Sequence, residues 1–403
     1  MIAYKVRAFP NKTTERYLLE TMNHCRILYN NAIIERRNAY KHSGKSLSYF
    51  HQCYHVKVIR EENDEYRTMD ARLLYTTLKR VQTTYQKFFD TQKKLKAMGK
   101  PLTKKGKMLG YPSLKKRDDF RTITYEKSGW QIDQEAKKFY FTKNKIILGK
   151  MRLLTDRPIE GQIKTVTVTL SPTNKWWLIF TCDGTDQAEQ TKGIKAVGLD
   201  FGVKSLVADS DGMKWDNPRY LKEFDDKVAY WQKKIADLDK NDTKRPKYIR
   251  ALNRVYEKLT NKRQSLAREI AAYYSQNYDI IHMEDVNVTQ ISARAKTEEL
   301  TGSGTTRAID SAKNKQTLNA SIGNIRLSIK NAAQRRGKIA TMVKSAYTSQ
   351  TCSICVSRNS AMIDVTEREF ICPSCGERID RDINAAKNIL RRGNKLLESK
   401  KAA

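Results

Sequence analysis

Residues 3–9, AYKVRAF, alternate apolar and basic side chains, which predicts a short strand with one buried face. Pro10 ends it. Thr13 and Thr14 are the expected N-caps of the next element, with Glu15 in its first turn. Leu18, Met22, Cys25, Leu28, Tyr29, Ala32 and Ile33 then recur at helical spacing. A second helix is predicted over about 70–98, with Leu73, Leu74, Leu78, Val81, Tyr85 and Phe88 on one side. Residues 99–117, GKPLTKKGKMLGYPSLKKR, hold two prolines, three glycines and seven lysines or arginines, and read as a basic linker. From Phe120 the period changes to two. Short strands are predicted at 122–125, 138–141, 145–148, 164–170 and 176–182, enough for a small barrel that the strand at 3–9 would complete. The helical region 11–118 is then an insertion into that barrel.

The second half begins with a hairpin, KAVGLDFGVKSLVADSD, which carries Asp200 on its first strand. Residues 219–276 show two long stripes, from Leu221 to Leu238 and from Ile249 to Ile270, and predict a basic helical hairpin. The run 279–286, DIIHMEDV, reads as a buried strand carrying Glu284. Residues 291–316 lose all periodicity and are expected to be a mobile loop. A helix at 321–336 and a brief strand at 339–343 follow, then a helix at 383–392 and a frayed tail.

Chemistry enters with the cysteines. Four of the seven form Cys352–Cys355 and Cys372–Cys375, two CxxC pairs with sixteen residues between them. That is the spacing of a zinc ribbon, and four thiolates would close the tetrahedron of one structural Zn²⁺. Gly376 follows the second pair, where a glycine suits the positive φ of a knuckle turn. Val356 follows the first, and its β-branch resists that conformation, so the first knuckle should be strained or differently wound. Cys25, Cys53 and Cys182 are scattered and read as ordinary buried thiols, and all seven cysteines fit a reducing cytoplasm or nucleoid.

Charge changes the picture further. The chain has 403 residues and carries 77 Lys+Arg against 44 Asp+Glu, a net charge of +33, with 20 tyrosines among the basic residues. Self-repulsion at this density calls for a polyanion, and the even spread points to a long nucleic-acid path. No run of 18 apolar residues occurs, so no transmembrane helix and no membrane partner are expected. Against this basic background Asp200, Glu284 and Asp382 stand out, each on an apolar strand or at a helix start. Hard divalent ions such as Mg²⁺ take oxygen ligands, and two of them can flank a scissile phosphate. A strand hairpin, a later strand and a terminal helix are the elements an RNase H-like sheet uses. Asp382 is the expected N-cap of the last helix. Asp380 is then a partner for Arg381 or a ribbon contact, and His282 a hydrogen-bonded neighbour of Glu284 rather than a ligand.

The run from LDFGVKSL through HMEDV to QTCSIC, CPSCG and DRDINAAKNIL resembles the TnpB family, transposon-encoded RNA-guided nucleases related to small type V CRISPR effectors. YKVRAFPNKTTE, CRILYNNAI and GYPSLKK resemble that family's N-terminal half. The resemblance implies an α+β multidomain chain. Residues 1–10 would be the first strand of a wedge barrel, 11–118 a helical recognition domain with its linker, and 119–192 the wedge β-barrel. Residues 193–345 would be an RNase H-like (RuvC) α/β nuclease domain, 346–379 its inserted zinc ribbon, and 380–403 its final helix and tail. Asp200, Glu284 and Asp382 fall on the family's catalytic, magnesium-binding positions, while Val356 departs from its usual glycine. The implied partners are a guide RNA derived from the transposon end and double-stranded target DNA, with a monomer on its RNA. A nuclease-silent RNA-guided DNA-binding repressor and a DNA transposase stay open as alternatives.

Overall fold

The computed structural model describes residues 2–104, 107–183, 195–285, 320–344, 346–359 and 368–402. The chain divides into two units, Met1–Thr185 and Asp186–Ala403. The expected mobile loop at 291–316 lies outside the described residues.

The first unit starts with β1 (Ile2–Pro10), followed by α1 (Lys12–Ser43), α2 (Tyr49–Glu62), α3 (Asp64–Thr68) and α4 (Ala71–Ala97). The cap of α1 is Asn11, whose side chain accepts from the Thr14 amide at 2.8 Å. Thr14 is instead buried and its hydroxyl accepts from the Lys150 amide. The α4 stripe is buried as its spacing predicts, and Asp70 caps that helix. The basic linker holds only a two-rung ladder, β2 (Thr103–Lys104) with β3 (Lys107–Met108), and a single 3-10 turn at Arg117–Asp119.

Six further strands follow: β4 (Thr122–Tyr125), β5 (Trp130–Asp133), β6 (Lys138–Lys143), β7 (Ile146–Leu154), β8 (Ile163–Leu170) and β9 (Trp176–Cys182). With β1 they form an antiparallel sheet in the order β4-β8-β9-β1-β7-β6-β5. The first strand of the chain is therefore an inner strand, and α1 to α4 are an excursion between β1 and the rest. The edge strands β4 and β5 are not paired with each other, so hydrogen bonding does not close the expected barrel. Phe139, Phe141, Phe180 and Leu178 from the sheet share one core with Leu18, Ile33, Leu74 and Leu78 from the helices.

The second unit contains β10 (Ala196–Asp200), β11 (Ser205–Asp209), β12 (Lys214–Asp216), α5 (Tyr220–Ala236), α6 (Arg245–Asn277) and β13 (Ile280–Glu284). After these come α7 (Ile322–Arg335), β14 (Ile339–Val343), β15 (Glu369–Ile371), β16 (Arg378–Asp380) and α8 (Arg381–Ala402). The main sheet has the order β12-β11-β10-β13-β14, with β10, β13 and β14 parallel and the first two strands antiparallel.

Strand alternation sorts this sheet into two faces. Val197, Leu199, Ile281 and Met283 pack with Ala267, Ile270 and Tyr274 of α6 and Ile325 and Ile329 of α7. The intervening residues Gly198, Asp200, His282 and Glu284 point the other way, toward α8. Two glycines let α8 approach closely. A Cβ on Gly198 would meet the Ala386 carbonyl oxygen, and one on Gly393 would meet the His282 ring. The chain beyond 392 is therefore not a frayed tail: α8 continues through Gly393 to Ala402 because its fourth turn is seated on the sheet.

A candidate carboxylate centre beside a four-cysteine ribbon

Asp200 ends β10 and Glu284 ends β13. The two strands are parallel neighbours, with Leu199 opposite Met283, so both carboxyls emerge at the same carboxyl end of the sheet. Asp200 hydrogen-bonds with Glu284. Burial, then the negative charges of Glu284 and Asp382, push the Asp200 carboxyl well above the usual carboxylate range, and Arg381 offsets only part of this. Three acids far apart in sequence are thus gathered near one point.

Asp382 reaches that point from the first turn of α8. It does not cap the helix. The cap is Asp380, whose Oδ1 accepts from the amides of Asp382 at 2.9 Å and Ile383 at 3.2 Å. Both acids sit at a helix start, but only the residue before Arg381 has the extended geometry that turns its side chain back onto free amides. Asp380 also pairs with Lys214 at 2.6 Å, and its strand β16 pairs with β15, with Glu369 opposite it, which is the ribbon contact of the two expectations. Burial would raise the Asp380 carboxyl, but Lys214 and the two capping amides hold it below its ordinary value. Lys214 lies 3.5 Å from Asp382 as well, and Arg368 lies 3.7 Å from it.

The oxygens of Asp200, Glu284 and Asp382 do not all fall within 4.8 Å of one another, since no such acidic trio occurs among the described residues. The three carboxyls are half-buried and offer oxygen donors, the kind that hard divalent ions take, with Lys214 and Arg368 beside Asp382. His282 is not part of that donor set. It is buried, with Nδ1 2.6 Å from the Thr341 hydroxyl and Nε2 3.0 Å from Asn394 Oδ1, and burial lowers its basicity. Both ring nitrogens are engaged, by Thr341 and Asn394 rather than by Glu284, so it holds β13, β14 and α8 together.

The four cysteines Cys352, Cys355, Cys372 and Cys375 place all their sulfurs within 4.8 Å of one another. Cys352 and Cys375 are 3.8 Å apart and Cys355 and Cys372 are 3.5 Å apart. A tetrahedron with Zn–S bonds of about 2.3 Å has sulfurs about 3.8 Å apart, so the donor set fits zinc. Val356 has φ of 67° and Gly376 has φ of 75°. The first knuckle is therefore wound like the second and is strained, which decides between the two expectations.

Two asparagines of α8 bind this ribbon to the carboxylates. Asn384 accepts from the Ser353 amide and donates to the Thr351 carbonyl, both at 2.8 Å. Asn388 donates to the carbonyls of Thr348 and Thr351. Both are fully buried. Lys214, Asn384 and Asn388 were invisible as site residues in the sequence, because their roles exist only across elements. The DxDxNxxxN spacing was the one available signal, since it puts Asn384 and Asn388 on one helix face.

Comparison with known proteins agrees with this layout. The family described as "Probable transposase" matches residues 179–295, a "Cas12f1-like, TNB domain" matches 323–389, and a "Helix-turn-helix domain" matches 1–45. Over the last stretch the structure has one strand and one long helix. A "Putative RNA-guided DNA endonuclease InsQ" of Escherichia coli is 24% identical over 98% of this chain and 93% of its own length. A "Putative RNA-guided DNA endonuclease" of Streptomyces pristinaespiralis is 24% identical over 97% of this chain and 89% of its own. Among solved structures, the protein of a Cas12f1–sgRNA–target DNA complex superposes with a TM-score of 0.52 at 16% identity, covering 94% of this chain and 83% of that one, a likeness of fold. The motifs from LDFGVKSL to DRDINAAKNIL, their matched domains and relatives aligned over nearly their full length support a TnpB-family protein.

Proposed function

We propose that this chain is an RNA-guided DNA endonuclease that hydrolyses target DNA at one RuvC-like site built from Asp200, Glu284 and Asp382. The observation that carries the proposal is the convergence of these three acids at the carboxyl ends of two parallel strands. The mixed five-stranded sheet with α8 across one face supports an RNase H-like reading of the unit. The names of the full-length relatives support guidance by RNA and action on DNA.

Asp200, Glu284 and Asp382 would hold Mg²⁺, as two ions if the site flanks a scissile phosphate on both sides. Bound there, magnesium supplies Lewis acidity and a water of lowered pKa. The protein's own groups do the rest. Lys214 and Arg368 put two positive charges beside Asp382, where a backbone phosphate would draw them off the carboxylate. The cap on Asp380 fixes the first turn of α8 and with it the direction of Asp382. One Zn²⁺ on the four cysteines would close the ribbon without taking part in chemistry. The charge of +33 fits a bound RNA and a DNA duplex. Base pairing with a guide from the transposon end would read the target, while the protein reads a short flanking motif and duplex shape. The expected particle is one chain on one RNA, in the cytoplasm at the nucleoid.

The test is reconstitution. Protein is expressed with RNA transcribed from its own flanking DNA, and the guide is reprogrammed against a plasmid carrying a randomised flank. Cleavage should require the matching guide, one flanking motif and Mg²⁺, and should stop with chelator. Guided binding without any cut would establish the repressor-like alternative. Strand joining by the protein without RNA would establish the transposase.

A further inference from the structure

A second group of metal-ligating side chains lies in the first unit, outside everything discussed so far. Glu35 on α1 and His51 and His55 on α2 bring one carboxylate oxygen and two imidazole nitrogens within 4.8 Å of one another. The two histidines are four residues apart and so share a helix face. Their rings are 4.9 Å apart between centroids. His55 Nδ1 is 3.2 Å from Glu35 Oε1.

The carboxylate is held from behind. Buried Gln52 donates to Glu35 Oε2 at 2.7 Å and to the Ala32 carbonyl at 2.9 Å, while its own carbonyl accepts from Arg36 Nε at 2.7 Å. One oxygen of Glu35 is thereby fixed, and Oε1 is the one left toward the histidines. Hydrogen-bonded support of this kind is what orients a metal-binding carboxylate. An ion pair between Glu35 and His55 would need none of the third partner, and His51 is exposed with no other role among the described contacts of its ring except an edge-on contact with His55.

We propose that Glu35, His51 and His55 form a binding site for a borderline divalent ion of the zinc, cobalt or nickel type. Two imidazoles and one carboxylate suit such ions, whereas Mg²⁺ and Ca²⁺ require more oxygen donors than the site offers. Three ligands leave open positions, which exposed His51 would turn to water. The site has a structural consequence. Helix α2 buries only Gln52 and Val56, so a bond from Glu35 on α1 to two residues of α2 adds a cross-link where packing is thin.

The experiment uses untagged full-length protein with its ribbon zinc-loaded, in millimolar Mg²⁺ so that the carboxylate centre does not compete. Zn²⁺ is titrated calorimetrically, and Co²⁺ is titrated in parallel with absorption spectra. One further equivalent should bind to the wild type. Affinity should fall at least tenfold in His51→Ala, whose side chain is exposed, and in Glu35→Gln, which keeps the Gln52 contact. The added Co²⁺ should give weak ligand-field bands without sulfur charge transfer. No further equivalent, wild-type affinity kept in both variants, or sulfur charge transfer from the added ion would each overturn the site.

Discussion

The four thiols of the ribbon come from two short turns that repeat each other, whereas the three carboxylates come from two strands and a helix spread between Asp200 and Asp382. In the ribbon each CxxC turn closes on itself. Cys352 receives the Val356 amide on its carbonyl and bonds the Ser357 carbonyl through its own amide, and Cys372 does the same with Gly376 and Glu377. Its donors are local and need only one another. The carboxylates have no such local frame. Asp200 and Glu284 are aligned by strand register, and Asp382 by the seating of α8 on Gly198 and by the asparagines that grip the ribbon. A closed soft-donor cluster thus serves as the foundation for an open hard-donor one. The difference teaches that damage should pass from ribbon to carboxylates and not in the reverse direction.

The sharpest break of that asymmetry is Asp382→Asn. It keeps size and position but removes the charge a metal needs, so guided cleavage should fall at least about a thousandfold, on the order of 4 kcal/mol in the barrier. Zinc content, RNA binding and target binding should stay at wild-type levels. Asp380→Asn, two residues away, should keep cleavage within about tenfold because asparagine caps a helix as well as aspartate does. Side-by-side cleavage rates and binding curves decide it, and an active Asp382→Asn beside a dead Asp380→Asn would reverse the assignment.

Cys372→Ser attacks the comparison from the other side. Removing one thiolate should lower zinc content by one ion per chain and loosen both knuckles. Because Asn384 and Asn388 hold the first knuckle, the loss should reach α8 and reduce cleavage roughly tenfold or more, although no carboxylate has changed. Elemental analysis and cleavage rates on the same preparation provide the check. Full cleavage without ribbon zinc would mean that the ribbon supports nothing beyond itself.

What the sequence disclosed follows the same division. The ribbon was legible because its donors are local and their spacing is the structure. The apolar stripes of α1 and α4 and the strands carrying Asp200 and Glu284 were legible because burial imposes a period. Helix α2 was not: only Gln52 and Val56 are buried, while Phe50 and Tyr54 are exposed, so no stripe marks it. Strand β5 was not legible because none of its four residues is fully buried, whereas the equally short β4 buries Ile123 and Tyr125. Asp380 and Asp382 are interchangeable to any rule about helix starts, and only the actual hydrogen bonds separate them. Lys214 could not be found at all, since its partners lie more than 160 residues away.

Asp380→Ala should have a smaller effect, confined to the helix start. It removes the cap on the Asp382 and Ile383 amides and the strongest partner of Lys214. The cap contributes about 1 kcal/mol, and the partly exposed ion pair adds little. The thermal midpoint should drop by a few degrees for the alanine variant and by less for Asp380→Asn. Equal losses in the two would show that the ion pair with Lys214, not the cap, holds this turn.

The smallest effect isolates the one difference between the two knuckles. Val356 and Gly376 occupy equivalent positions at φ of 67° and 75°, and each donates its amide to the first cysteine of its pair, at 3.2 and 3.0 Å. A residue with a Cβ in this region is disfavoured by about 1–2 kcal/mol, and a β-branch does not relieve it. The Val356 side chain is 55% exposed, so deleting it forfeits little burial. Glycine also gains freedom in the unfolded chain, which takes back about 0.5–1 kcal/mol. Val356→Gly should therefore tighten the ribbon by about 1 kcal/mol or less, a few-fold gain in zinc affinity measured against a competing chelator. The reciprocal change is the control. A Cβ on Gly376 would meet no atom within 4 Å, so Gly376→Val acts chiefly through the turn's conformational preference and should weaken zinc binding by a similar factor. If Val356→Gly loosens the zinc instead, the valine is stabilising the first knuckle through contacts of its own, and the two turns are alike in backbone only.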